Sequence, residues 1–176
     1  ELPIKVGKDY ITAGNILVSD WENGEALDGE TDVVTNVDVW DGSVATALAG
    51  GAGTKDDPYQ IATGAQLAYL AQKTNSGIGS VGVKYYTLTQ DIDLDNKEWT
   101  SIGYAKYADT GNASGKSFSG LFDGQGHIIS NLKMDLRNKE NGSLGLFGWL
   151  TPGSSEYSVK NLTIRNASIA GKNHAG

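Results

Sequence analysis

Residues 118–134 read Phe-Ser-Gly-Leu-Phe-Asp-Gly-Gln-Gly-His-Ile-Ile-Ser-Asn-Leu-Lys-Met, and their reading decides the fold. Phe118, Gly120 and Phe122 alternate with Ser119 and Leu121, the period of an extended strand. Asp123-Gly124-Gln125-Gly126 is turn chemistry, and its two glycines can take positive φ at no steric cost. Ile128 to Met134 is extended again, with Leu132 and Met134 on one face. The segment predicts a strand, a tight turn and a second strand.

The same grammar recurs on both sides. Asn131-Leu132-Lys133-Met134 returns thirty residues on as Asn161-Leu162-Thr163-Ile164, and Asp91-Ile92-Asp93-Leu94 is a looser earlier copy. Each copy has a small polar residue at a corner and then two apolar residues two apart. Strand units recurring about every 20–45 residues predict a solenoid in which each rung covers its neighbour. Gly145-Leu146-Phe147-Gly148 supplies a further short strand. The fold expected is all-β, a parallel β-helix. The apolar pairs 92/94, 132/134 and 162/164 should stack inward, and Asn131 should lie above Asn161 at one corner.

Composition agrees with many corners and little helix. The 176 residues include 24 glycines and only three prolines, and the net charge is −7. That charge disfavours nucleic acid, whose binders present basic stripes to phosphates. It leaves glycans, proteins and cations open. The absence of cysteine excludes disulfides, thiolate metal sites and a cysteine nucleophile. No apolar run approaches the roughly 20 residues of a membrane span. The chain begins at Glu1 and ends in Gly171-Lys172-Asn173-His174-Ala175-Gly176, a corner without a closing strand. Both ends read as those of an excerpt from a longer polypeptide.

Three regions follow from the pattern. Residues 1–40 read as a short β segment: Ile4 and Val6 alternate, Asp20-Trp21-Glu22-Asn23-Gly24 is a turn with an aromatic anchor, and Val33, Thr35, Val37 and Val39 alternate with polar neighbours. Residues 41–58 read as a Gly/Ala-rich linker, expected to be lightly packed. The glycines at 50–53 lack the Gly-Lys-Ser/Thr ending and following helix of a phosphate loop. Residues 59–176 read as the β-helix module, truncated at its C-terminus. Within it, 63–75 is the one expected helix, with Thr63 as N-cap, Gln66 in a capping box, and Leu67, Leu70, Ala71 and Thr74 on one face. Such a helix would cover the open first rung.

Few residues carry chemistry. Asp91, Asp93, Asp95 and Asn96 offer oxygen ligands to calcium, without the order or terminal Glu of an EF-hand; solvated strand and corner acids are the plainer reading. Trp99, Tyr104 and Tyr107 could present flat faces to a sugar, against the plainer reading of packing on the solenoid wall. His127 and His174 lack metal-ligand spacing and read as turn-flanking residues. Asp123 sits in a turn that explains it structurally. Four Asn-x-Ser/Thr sites, at Asn112, Asn141, Asn161 and Asn166, read as corner chemistry rather than glycosylation acceptors. Inward positions are apolar, the acids can sit only on outer faces or corners, and the basic residues are scattered with no cluster to meet a uronate, so no catalytic residues or cofactors are expected.

Several of these motifs also stand together in a known pattern. Gly53-Thr54, Asp57-Pro58-Tyr59-Gln60-Ile61, Leu67-Ala68-Tyr69-Leu70-Ala71, Leu88-Thr89-Gln90-Asp91-Ile92-Asp93-Leu94, Trp99-Thr100-Ser101-Ile102-Gly103 and Phe118 to Gly124 resemble the start of the GLUG-motif-containing right-handed β-helix modules of bacterial surface proteins. Gly145 to Gly148 is similar to the glycine-flanked repeat of that family. The resemblance covers roughly 50–176 and implies an extracellular, surface-attached, adhesive module that binds a host or matrix glycan or protein. It brings no catalytic residues. Tyr10-Ile11-Thr12 and Asp20 to Gly24 resemble the last strands of fimbrillin-like domains of Bacteroidetes. The function expected is a non-catalytic cell-surface binding module. The alternative is a polysaccharide lyase or glycoside hydrolase, an analogy at the level of fold alone.

Overall fold

The computed structural model of the chain describes residues 4–6, 9–11, 37–77, 83–107, 113–137, 143–151 and 158–171, with side chains excluded at 4–6, 9–11, 106, 107 and 113. It forms two compact units, Glu1–Val34 and Thr35–Gly176. In the first, β1 (Ile4–Val6) pairs antiparallel with β2 (Asp9–Ile11), Ile4 opposite Ile11. The Trp21 turn, the fimbrillin-like motif around it and His174 lie outside the described residues.

The second unit is mostly strands with one helix. Its elements in order are β3 (Asp38–Val39), β4 (Tyr59–Ile61), α1 (Gly64–Ser76), β5 (Tyr85–Leu88), β6 (Ile92–Asp93), β7 (Tyr104–Tyr107), β8 (Ala113–Lys116), β9 (Leu121–Asp123), β10 (Ile128–Ser130), β11 (Lys133–Asp135), β12 (Val159–Lys160), β13 (Thr163–Arg165) and β14 (Ser168–Ala170). Two four-stranded sheets run in the orders β4-β5-β9-β12 and β3-β6-β10-β13, and every pairing in them is parallel. β11 and β14 form a third parallel pair, and the parallel bridge Glu98↔Lys133 extends it. β7 and β8 form an antiparallel hairpin. Thus β9, β10 and β11 pair one for one with β12, β13 and β14.

The register corrects the repeat read from the sequence. Ile92 pairs with Ile129, Ile129 with Ile164 and Met134 with Ile169. These paired strands are therefore 35–37 residues apart, and Met134 does not pair with Ile164. Asn131 does not lie over Asn161. Its partners are Asn96, whose N–H donates to the Asn131 carbonyl at 3.1 Å, and Arg165, whose carbonyl accepts the Asn131 N–H at 3.0 Å. Asn96, Asn131 and Asn166, each 35 residues from the next, all take left-handed φ of 52–57°. Asn tolerates that region because its short side chain bonds locally. Asn161, also left-handed at φ 51°, belongs to the other corner: its carbonyl accepts Gly126 N–H at 2.8 Å and its Nδ2 donates to Asp123 at 3.0 Å. Two different corners look alike in sequence because both need a left-handed residue before a strand. Asn112 and Asn141 lie outside the described residues.

Where the pairs do face inward, they make the core. Ile61, Ile92, Leu94, Phe122, Ile129, Leu132 and Met134 are all buried. Leu67, Leu70 and Ala71 of α1 join the same cluster, as their helical spacing predicts. Thr63 caps the helix by accepting the Gln66 N–H at 3.2 Å, and Gly77 closes it in the left-handed region. Gln66 Oε1 accepts from Ala62 N–H at 2.8 Å, so the box closes one residue earlier than Thr63. Gly64 N–H donates to Asp38 at 2.7 Å, which places a carboxylate at the positive end of the helix. Trp40 packs so near that a Cβ on Gly64 would lie 2.4 Å from its Cβ.

Residues 37–58 therefore differ from the expected separate segment and loose linker. Asp38 and Val39 pair with β6, and Trp40 is buried against Trp99 with ring centroids 5.5 Å apart. Ala45 N–H donates to Ala65 at 3.0 Å, Ala49 N–H to Gln60 at 3.0 Å, and Gln60 N–H to Gly50 at 2.9 Å. Small residues read as a linker because they carry little apolar surface; here they allow the backbone to lie along β4.

Candidate functional site

The residues singled out from sequence do not gather. Asp91 accepts from Ile128 N–H at 3.0 Å and meets His127 Nδ1 at 2.9 Å. Asp93 accepts from Asp95 N–H at 2.7 Å and Asn131 Nδ2 at 2.8 Å. Asp95 is paired with Lys97. Each carboxylate is thus held by the neighbouring strand or by its own turn. Among the described residues no three acidic or histidine side chains come together where they could hold a metal ion. Trp99 is 3% exposed, with its indole N–H 3.3 Å from the Leu146 carbonyl. It belongs to the core and cannot meet a ligand. Tyr104 starts the β7–β8 hairpin, opposite Lys116. Tyr107 ends β7, and its side chain lies outside the described residues.

Aromatic surface gathers elsewhere. A groove of about 420 Å³ runs beside α1, lined by Tyr59, Tyr69, Tyr86, Leu48, Leu70, Lys73, Thr74, Gly50 and Gly51. Its size lies in the range of small-molecule sites. Each wall has a structural cause. Tyr59 and Tyr86 are paired in register between β4 and β5, and their ring centroids are 5.5 Å apart. Tyr69 and Lys73 are four apart on α1, so they share a face; Lys73 Nζ stands 5.2 Å from the Tyr69 ring centroid. Gly51 forms the glycine end. At φ +84° a Cβ there would fall 1.9 Å from the Pro58 carbonyl oxygen, so only glycine lets the chain approach β4 so closely.

Tyr86 continues the aromatic row inward, with Phe118 at 5.6 Å and Phe147 a further 5.3 Å on. Burial first, and then the neighbouring Tyr59, pushes the Tyr86 phenol up to about 12. It stays protonated at neutral pH and can donate a hydrogen bond. Thr74 and Tyr86 also line a second, much smaller cleft of about 20 Å³ with Lys84, Ser117 and Ser119. Flat apolar faces, hydroxyls, exposed backbone and ammonium groups can stack on a ring and hydrogen-bond its substituents. Among the described residues no carboxylate lines either depression.

Sequence reading missed this groove. The Tyr69/Lys73 spacing on a helix was a legible signal. The juxtaposition of Tyr59 with Tyr86 was not, because it depends on a pairing register between strands 27 residues apart.

Among the described residues no helix is long and apolar enough to cross a membrane. No protein-family model matches the chain, and no solved structure matches it. The chain is similar to halomucin of Haloquadratum walsbyi, 34% identical over 148 residues, which is 78% of this chain and 2% of halomucin. The chain thus spans about 2% of the length of the curated relative that it matches.

Proposed function

We propose that this chain is a non-catalytic, extracellular surface module, built as a right-handed parallel β-helix, that binds a glycan in the groove beside α1. The observation that carries the reading is the convergence of Tyr59, Tyr69 and Tyr86 on one groove of about 420 Å³. Parallel pairings from β5 onward with no helix between the strands, and repeating corners 35 residues apart, support the β-helix. The hand rests on the GLUG-motif resemblance. The likeness to halomucin supports an extracellular or surface setting; adhesion to matrix or neighbouring cells rests on the GLUG-motif resemblance. That relative is archaeal, so it lends no support to the bacterial setting of the resemblance. The fimbrillin-like reading of residues 1–40 rests on its sequence motifs alone.

Catalysis fits the groove poorly. A typical glycoside hydrolase needs two carboxylates about 5–10 Å apart, and the lining supplies none. A lyase needs a base: Tyr86, pushed up to about 12, is a phenol rather than a phenolate at neutral pH, which leaves the Lys73 amine as the basic side chain of the lining among the described residues. The test is affinity electrophoresis of the intact chain through gels containing neutral and acidic polysaccharides, with assays for new reducing and unsaturated ends on the same mixtures. Retardation without new ends is expected. New ends that vanish in Asp123→Asn or Tyr86→Phe would establish an enzyme instead, and passage through every gel unretarded would dispose of glycan binding.

A further inference from the structure

We infer that the groove selects an acidic glycan, one whose sugar rings carry carboxylates, and that Lys73 and Lys84 are the residues that select it. This rests on the reading of the groove as a glycan site. The chain carries a net charge of −7, yet its groove is basic. Lys73 lines the groove and Lys84 lines the small cleft that shares Thr74 and Tyr86 with it, and among the described residues neither lining contains an acid.

The contrast with other cations is informative. Lys97 sits on Asp95, Arg137 on Asp135 and Lys160 on Asp123. Among the described residues neither Lys73 nor Lys84 has such a partner. Lys73 rests over the Tyr69 ring, and the Lys84 backbone is fixed by accepting the Leu121 N–H at 2.8 Å. A place in the last turn of α1 favours a cation at position 73 through the helix dipole. The dipole does not account for Lys84, which lies beyond α1 on the approach to β5. The nearby Asp57 carboxylate is occupied by Ala52 N–H at 3.0 Å, outside the lining.

The chemistry of the two parts is complementary. Tyrosine faces take the apolar face of a pyranose ring. An ammonium is a compact charge on a flexible stem, suited to a carboxylate without bidentate geometry. A neutral chain in the groove would take water from the Lys73 ammonium and return no charge. A flexible acidic peptide would satisfy the lysines but leave the tyrosine faces without a ring.

The test measures binding of the whole chain, by calorimetry at low salt, to four polymers: polygalacturonate, its methyl ester, dextran and polyglutamate. Polygalacturonate should bind at least about tenfold more tightly than its ester, a difference near the value of one charged hydrogen bond, and the difference should shrink as salt screens it. Lys73→Met with Lys84→Met should remove the preference while leaving the chain folded, with a cooperative unfolding transition. Tyr69→Ala should weaken both galacturonan forms, which reports the underlying groove. Equal binding of acid and ester, or a preference that survives the double lysine change, overturns the inference and leaves glycan binding standing. Polyglutamate binding as tight as polygalacturonate also overturns it, in favour of an acidic peptide. No binding to any polymer, or indifference to Tyr69→Ala, removes both readings.

Discussion

β4 and β13 are both edge strands of four-stranded parallel sheets, and they fare differently. Ile61 on β4 is fully buried, whereas Ile164 on β13 is 41% exposed. β4 runs directly into α1, whose Leu67 and Leu70 join Ile61 in the core, and Gln60 bridges Gly50 on its outer side. β13 has one described strand neighbour, β10. Its paired residue Ile129, held between two strands, is fully buried. An isoleucine in the right register is therefore insufficient; burial depends on what covers the strand. The helix that covers β4 also builds one wall of the groove, so protection of the edge and the groove have one origin.

The largest test of that contrast is truncation. Leu67→Ala and Ile129→Ala each remove a buried side chain and should cost about 2–5 kcal/mol. Ile164→Ala should cost about 1 kcal/mol or less, being partly exposed already. Denaturant unfolding of the three variants checks this. Equal losses at 129 and 164 would mean that β13 is covered in solution.

The corners give a smaller, sharper comparison. Asn131→Ala forfeits the bond to Asp93 and puts a Cβ-branching-free but still hindered residue at φ 57°, for about 1–2 kcal/mol. Asn166→Ala should lose only the backbone part. Glycine at either position should recover that part, and a glycine variant less stable than alanine would refute the left-handed corner.

Smallest is the response to acid. Burial works to raise the Asp123 carboxyl, but hydrogen bonds from Gln125 N–H, Lys160 and Asn161 hold it below the ordinary range. Arg137 holds Asp135 down at about 2. Both folded values are depressed, so their contribution is complete above about pH 4, the unfolded carboxylate range. It is lost as pH falls from there through the folded values. Melting temperature should be flat above about pH 5 and decline below pH 4, less steeply in Asp123→Asn.

The capped helix over 63–75 and the inward Ile92, Leu132 and Met134 were legible because each is set by local period and chemistry, whereas Leu121, read as opposite to Phe122, is buried with it. The register was not. Asn161 and Asn131 share a motif because both enter strands from a left-handed corner, and only cross-strand pairing separates the two corners. Trp99 could not be told from a surface aromatic, since its cover comes from Trp40, 59 residues earlier. The groove depends on pairing β4 with β5 and on folding 41–58 back along β4. Composition alone made that segment a linker.

The central claim is that the face built by α1, β4 and β5 is the one that binds. Chemical-shift mapping of the isotope-labelled chain with an oligogalacturonide tests it most directly. The account predicts the largest shifts at Gly50, Gly51, Tyr59, Tyr69, Lys73 and Tyr86, with Lys84 following and β13 and β14 unmoved. Shifts centred on β13 and β14, or on the β7–β8 hairpin around Tyr104, with the tyrosine groove silent, would contradict it.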